Sequence, residues 1–192
     1  MRTLIAGVLG GFAMFIWASI AHIATPLASV GLGQMPNEAA TLAVLQVNLG
    51  TRPGLYFFPA LQGKAGDAQA MRAQEDKIKT GPSGLLAYQP PGTGGLTPRQ
   101  LITEFLLEIV ECLLMAIVLG AVVTGFVRRL ALAALIGVIA GIATNFSYWN
   151  WYGFSLDYTL ANAFTELMKF VVAGLVIAWV LGFRNRATGR RA

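Results

Sequence analysis

The sequence predicts a membrane all-α fold: a four-transmembrane-helix bundle with a small α+β extracytoplasmic cap in the first outer loop. Three observations predict it. The 192 residues are 56% hydrophobic and only 12% charged, with mean hydropathy +0.63; a soluble domain carries about a quarter of its residues charged. Four apolar runs can each span roughly 30 Å of hydrocarbon, which takes about 20 residues. Seven arginines and no acid occupy three short segments at the ends of those runs: Arg2, then Arg128 and Arg129, then Arg184, Arg186, Arg190 and Arg191.

The runs lie near Leu4–Ala24, Leu101–Val127, Leu130–Tyr148 and Leu160–Phe183. Basic residues collect on the cytoplasmic side of a membrane, so both termini are expected inside and the loops 25–98 and 149–159 outside. The chain thus divides into a first membrane helix (1–24), a cap (25–98), three further membrane helices (99–183) and a basic cytoplasmic tail (184–192). The net charge of +5 does not point to nucleic acid, because the excess base sits at helix ends and the tail belongs on anionic lipid. The single cysteine, Cys112, excludes an intramolecular disulfide. The single histidine, His22, excludes a multi-histidine metal site within one chain.

In the first run, Arg2, an apolar stretch and Ser19-Ile20-Ala21 loosely fit a signal peptide, but the run exceeds the usual signal core and favours an anchor. The cap comes next and is too long for a mere connector. Asn37 is placed to cap a helix over 37–49, with Leu42, Leu45 and Leu49 in one stripe. Residues 54–59 and 84–88 read as strands. Asp67 is placed to cap a polar helix over 67–79. Two strands alone are marginal, so the cap must rest on the helix ends or on a partner. The Gly/Pro-rich stretch from Gln89 to Pro98 tethers it back. The second span then opens on Thr97-Pro98-Arg99-Gln100, a capping box with proline at the first helical position. The very short link at Arg128-Arg129 predicts that the second and third spans form an antiparallel hairpin.

Ionisable groups within a spanning helix are costly and need a partner or a task. Glu104, Glu108 and Glu111 are spaced four and three, hence on one helix face; Asn162, Glu166 and Lys169 share another. At 1.5 Å per residue, Glu108 lies roughly 10 Å from the outer end of its run, Glu111 about 15 Å, Glu166 about 9 Å and Lys169 about 13 Å. His22 and Asn145 approach the same outer level. Met115 to Val127 holds no ionisable group, nor does Phe170 to Phe183. A polar file through one subunit is therefore missing, which argues against a channel.

These residues support two readings. One is a polar clasp locking the bundle, at about 0.6–2 kcal/mol per hydrogen bond. The other is an outward-facing site for a cation, proton or polar head group, since four glutamates face one lysine and one histidine. Contact with another subunit is a third outcome. A di-metal site is disfavoured, because such bundles use two Glu-x-x-His pairs and only Glu108-x-x-Glu111 is present; no metal is expected.

Gly7 and Gly11 in the first span, and Ala133, Gly137 and Gly141 in the third, form small-residue faces for close packing within the bundle or against a partner helix. Trp149, Trp151 and Tyr152, with Phe146, Tyr148, Phe154 and Tyr158, crowd the second outer loop as an interfacial aromatic belt. The minority reading is a stacking site for bound lipid or quinone. No Ser-His-Asp set, phosphate loop, dinucleotide fingerprint or HExxH is present.

Several segments carry a resemblance: Trp17 in a Gly-rich first helix; Met35-Pro36-Asn37-Glu38; Gly54-Leu55-Tyr56-Phe57-Phe58-Pro59; Gly81-Pro82-Ser83-Gly84-Leu85-Leu86; Thr97-Pro98-Arg99 followed by Glu104-Phe105-Leu106; and Thr159-Leu160-Ala161 with Ala173-Gly174-Leu175-Val176. Together they resemble a family of small uncharacterised bacterial four-helix inner-membrane proteins. The resemblance implies a bacterial inner membrane and no particular activity. It includes Glu104 but not Glu108 and Glu111, which speaks against a family-wide catalytic role for those two. The layout is also similar to claudins in topology alone, since their paired loop cysteines are absent.

The expectation is a non-enzymatic accessory or scaffolding subunit of a larger membrane complex, in contact with the bilayer and other membrane subunits and docking through its small-residue faces and cap. The first alternative is an outward-facing transporter-like or cation-binding protein using Glu108, Glu111, Glu166 and Lys169. The second is a membrane enzyme acting on lipid or quinone, for which the sequence offers no nucleophile.

Overall fold

The computed structural model describes residues 1–122 and 124–188, with side chains through Gly182. The side chains of the basic tail, 184–192, lie outside the described residues. The chain is mostly helical and divides into two compact units, Met1–Leu32 with Leu96–Ala192, and Gly33–Gly95.

The first unit contains helices α1 (Arg2–Ile23), α4 (Pro98–Ala121), α5 (Phe126–Gly141), α6 (Ser147–Tyr152) and α7 (Leu156–Thr188). Three stretches are long and apolar enough to cross a membrane: Arg2–Ile23, Phe126–Tyr152 and Leu156–Gly182. The sequence predicts α4 as a fourth. Glu104, Glu108 and Glu111 fall within its apolar stretch and take it out of that class. The third run is longer than expected. A π-helical segment, Ile142–Phe146, joins α5 to α6, and the helix continues to Tyr152 rather than ending at Tyr148. Thr144 and Asn145 there donate to the carbonyls of Ala140 and Gly141, so side chains compete with the backbone ladder and widen the turn. The outer loop expected at 149–159 therefore shrinks to 153–155.

Packing order differs from chain order. α1 lies along both α4 and α7, and α7 lies along α5, whereas α4 meets α5 and α7 only briefly. The expected hairpin of the second and third spans is thus not an extended one. Glycine explains the rearrangement. A Cβ at Gly7 would stand 2.8 Å from Leu113 Cα, and one at Gly11 2.8 Å from Ile109 Cα, so α1 meets α4 at backbone distance. A Cβ at Gly137 would lie 3.1 Å from Leu167 Cα, and one at Gly141 3.0 Å from the Ala163 carbonyl, so α5 meets α7 equally closely. The core between these helices holds Ala6, Met14, Cys112, Met115, Ala116, Leu119, Ala133, Ala173 and Ile177.

Helix ends are tied down locally. Thr97 and Gln100 form the capping box at the start of α4. The sequence places Arg129 in a cytoplasm-facing turn, yet it lies in the first turn of α5 and is only 7% exposed. Its Nε donates to the Leu119 carbonyl at 3.1 Å and its Nη2 to the Val122 carbonyl at 3.3 Å. The reason is the set of carbonyls that a helix leaves unpaired at its C-terminus. Arg128 remains exposed.

The second unit is built from α2 (Glu38–Leu49), β1 (Gly54–Phe58), α3 (Ala68–Thr80) and β2 (Gly84–Tyr88). The strands pair antiparallel with Tyr56 opposite Leu86. Asp67 caps α3 through the amides of Gln69 and Ala70. Asn37 occupies the N-cap position of α2, but its side chain makes no capping bond. On α3, Lys79 lies 2.7 Å from Glu75 on the exposed face and holds its carboxyl below the usual range by hydrogen bonding and charge.

Two stability outcomes follow from this packing. Gly11→Val forces α1 away from α4 and is expected to cost about 1–3 kcal/mol, the usual penalty for overpacking. Thermal unfolding in detergent checks it, with Gly182→Ala, whose Cβ meets open space, leaving the midpoint in place. Arg129→Gln strips two charge-assisted bonds from α4 and is expected to cost about 1.5–3 kcal/mol in the same assay.

Candidate functional site

The ionisable side chains of α4 and α7 meet at one seam. α4 presents Glu104, Glu108 and Glu111 because spacings of four and three return to one face. α7 brings Glu166 and Lys169 by the same rule. Lys169 Nζ stands 3.3 Å from Glu108 Oε1 and 3.6 Å from Glu166 Oε1. Glu108 is 1% exposed and Lys169 6%, so this pair is enclosed by protein. The Glu166 side chain is 28% exposed and Glu104 lies open. Glu111 is half-buried. The lysine feels the charge of all four glutamates.

Satisfaction at the seam is incomplete. The 3.3 Å approach of Lys169 to Glu108 is a charge contact without hydrogen-bond geometry, and Glu108 Oε2 has no hydrogen-bond partner. Glu111 Oε2 is buried in the same condition. One ammonium with three protons is shared among acceptors it cannot all reach.

The other residues expected at this level do not join the seam. Asn145 is buried and donates to the Gly141 carbonyl at 3.0 Å on its own helix. Asn162 donates to the Tyr158 carbonyl at 2.9 Å. His22 is exposed, with Nδ1 2.8 Å from the Ala18 carbonyl, a bond that needs the proton on Nδ1. Each has turned onto the carbonyl four residues back, which removes its need for a partner across the bundle.

The small-residue faces are also accounted for. Gly7, Gly11, Ala133, Gly137 and Gly141 are all buried against neighbouring helices of the same chain. A partner helix cannot dock on them without displacing α4 or α7. Trp149, Trp151 and Tyr152 are exposed as expected for a belt, but they ride on α6 rather than on a loop. Tyr148 stacks on Phe154 with ring centroids 5.4 Å apart, and Phe154 meets Tyr158 edge-on at 5.5 Å.

No family model, curated protein or solved structure matches this chain. What the seam does must be read from its own chemistry. Among the described residues, no group of three or more His, Cys, Asp or Glu side chains is arranged to hold a metal ion.

Two contacts have little warning in the sequence. Arg129 reads there as a topology signal and is a buried clamp. Trp17 Nε1 donates to the Thr165 carbonyl at 3.4 Å, joining α1 to α7 near the seam. The only hint of the first is that Arg129 follows the end of α4 within a turn or two; the second has none, because backbone carbonyls carry no sequence signature.

The seam predicts unequal mutational costs. Lys169→Met leaves Glu108 as an enclosed charge without its cation and is expected to cost about 3–5 kcal/mol, as for a broken buried pair. Glu108→Gln is expected to cost less, because Lys169 keeps Glu166. The double variant should recover much of the loss, read as a coupling in a double-mutant cycle of thermal stability. Additive single costs would mean the pair does not interact.

Proposed function

We propose that the protein is a non-enzymatic integral membrane protein that crosses the bilayer four times and serves as an accessory or scaffolding subunit of a larger membrane complex. The observation that carries this reading is the surplus of carboxylate at the α4–α7 seam. Lys169 answers four glutamates, and three of those, Glu104, Glu111 and Glu166, keep exposed surface. A carboxylate facing hydrocarbon is costly, and a basic or hydrogen-bonding group of a neighbouring subunit offsets that cost. Among the described residues Lys169 is the cation in contact with these carboxylates, and Arg129 is committed to the carbonyls of α4. A second copy would set carboxylate against carboxylate. The docking surface is therefore the seam, and not the glycine faces.

The 24 residues of α4 rise about 36 Å, enough for a fourth span, and its packing along α1 supports that role. Lys169 meets Glu108 at 3.3 Å and its charge bears on Glu104 and Glu111, which offsets part of the cost of carboxylates in such a span. Arg2, Arg128 and the basic segment 184–191 support cytoplasmic termini by the positive-inside rule. The resemblance noted in the sequence supports a bacterial inner membrane.

A second reading rests on the buried, donor-free Glu108 Oε2 and Glu111 Oε2. They favour a ligand or cation taken up from the outer side, within an outward-facing binding or transporter-like protein. It predicts cation-dependent thermal stabilisation that disappears in Glu111→Gln.

Gentle extraction, native-gel separation and mass spectrometry test the lead. The expected result is a stoichiometric partner that is lost when Glu111→Gln and Glu166→Gln are combined. A monodisperse protein with no stable partner counts against it. For orientation, a membrane-impermeant thiol reagent added to intact cells should label Ser83→Cys and spare Arg128→Cys. The reverse pattern would overturn the assigned topology.

A further inference from the structure

α2 carries no formal charge after its first residue: none appears from Ala39 to Thr51. None of its residues is buried, and Leu42, Val44 and Val47 are exposed, Val47 to 84%. Two of its polar side chains are already engaged with its own backbone. Thr41 Oγ1 donates to the Asn37 carbonyl at 3.0 Å and Asn48 Nδ2 to the Val44 carbonyl at 2.7 Å. A helix so arranged offers aliphatic surface and little else to its surroundings. α3 is its opposite, with Arg72, Glu75, Asp76, Lys77 and Lys79 along 13 residues.

Length, tether and pattern select what covers α2. Its 12 residues rise about 18 Å, too short to cross the bilayer and long enough to lie within its surface layer. Upstream, the chain is pinned at the start of α7, where Ser155 Oγ donates to the Gly31 carbonyl at 3.3 Å. α7 is among the helices apolar enough to cross a membrane, so this anchor marks a bilayer boundary. α2 begins six residues after Leu32 (38 − 32), within about 20 Å of that boundary even when fully extended. Val44 and Val47, both exposed, lie only about 60° apart around the helix at about 100° per residue, so they share one aliphatic face. An interfacial helix presents such a face to lipid while lying in the plane of the membrane.

We propose that α2 lies in the lipid interface on the cap's side of the membrane, as a lipid-contacting anchor for the 33–95 unit. This rests on the membrane-spanning reading and is independent of the accessory-subunit reading.

The test uses the full chain in phosphatidylcholine vesicles doped with nitroxide-labelled lipid. A polarity-sensitive fluorophore is attached at Val44→Cys, Val47→Cys or, on α3, Arg72→Cys. Native Cys112 is wholly buried and stays in place, with the labelled parent as blank. Ala40→Cys, exposed on the same face, supplies a further position if either valine variant fails to fold. Nitroxide lipid should quench positions 44 and 47 several-fold more than 72, and aqueous iodide should show the reverse order. Iodide quenching at 44 and 47 equal to that at 72 would place α2 in water and overturn the proposal. Shielding from both quenchers would show that protein covers the helix, and would overturn it equally. A stoichiometric native partner found alongside wet labels would leave the accessory reading standing and remove only this one.

Discussion

Backbone-close packing at glycine governs the order of the helices, and most other features of the molecule follow from it. Helices in lipid gain little from hiding aliphatic surface, because lipid tails are equally apolar. Close contact must supply the attraction instead. Gly7 and Gly11 bring α1 onto the backbone of α4, and Gly137 and Gly141 bring α5 onto α7. Once those contacts are made, α1 stands between its own two partners, α4 and α7. Chain neighbours α4 and α5 are left joined mainly through the Arg129 clamp. The same packing consumes the small-residue faces that would otherwise have served a partner.

A second constraint shapes the polar residues. Where water is absent, each donor and acceptor needs a partner within the protein. Short polar side chains meet this alone: Thr144, Asn145, Thr159, Asn162 and Thr165 each donate to a carbonyl four residues back. Long charged ones cannot. They gather where α4 and α7 touch, and there the numbers of acids and bases do not match. The mismatch is therefore the chemically unresolved part of the molecule, and the proposed docking rests on it. The stretches 115–122 and 170–182 hold no ionisable residue, and the acidic residues of α4 and α7, with Lys169, all precede them.

The cap unit combines two helices of opposite character. α3 is laced with charge and held by an Asp67 cap; α2 is uncharged after its first residue, with its threonine and asparagine folded back on their own backbone. The pairing of β1 with β2 is too small to organise both. A charged helix and an uncharged one on the same small unit are what the proposed lipid anchor builds on.

Much of this is legible in the sequence, for reasons of chemistry that act locally. Hydropathy depends only on composition over a run, so the apolar helices around α1, α5 and α7 can be read directly. The capping box at Thr97 and Gln100, and the Asp67 cap, depend on residues three or fewer apart. Helical spacing puts Glu104, Glu108 and Glu111 on one face, and Glu166 with Lys169 on another. Tertiary structure decided what those faces meet. It paired Lys169 with Glu108, left Glu111 Oε2 without a donor, and kept Asn145, Asn162 and His22 out of the seam. It also extended the third helix through a π-turn and turned Arg129 from a surface charge into a buried clamp. Each of these depends on backbone carbonyls and on distances between segments far apart in the chain, and a residue's type carries neither.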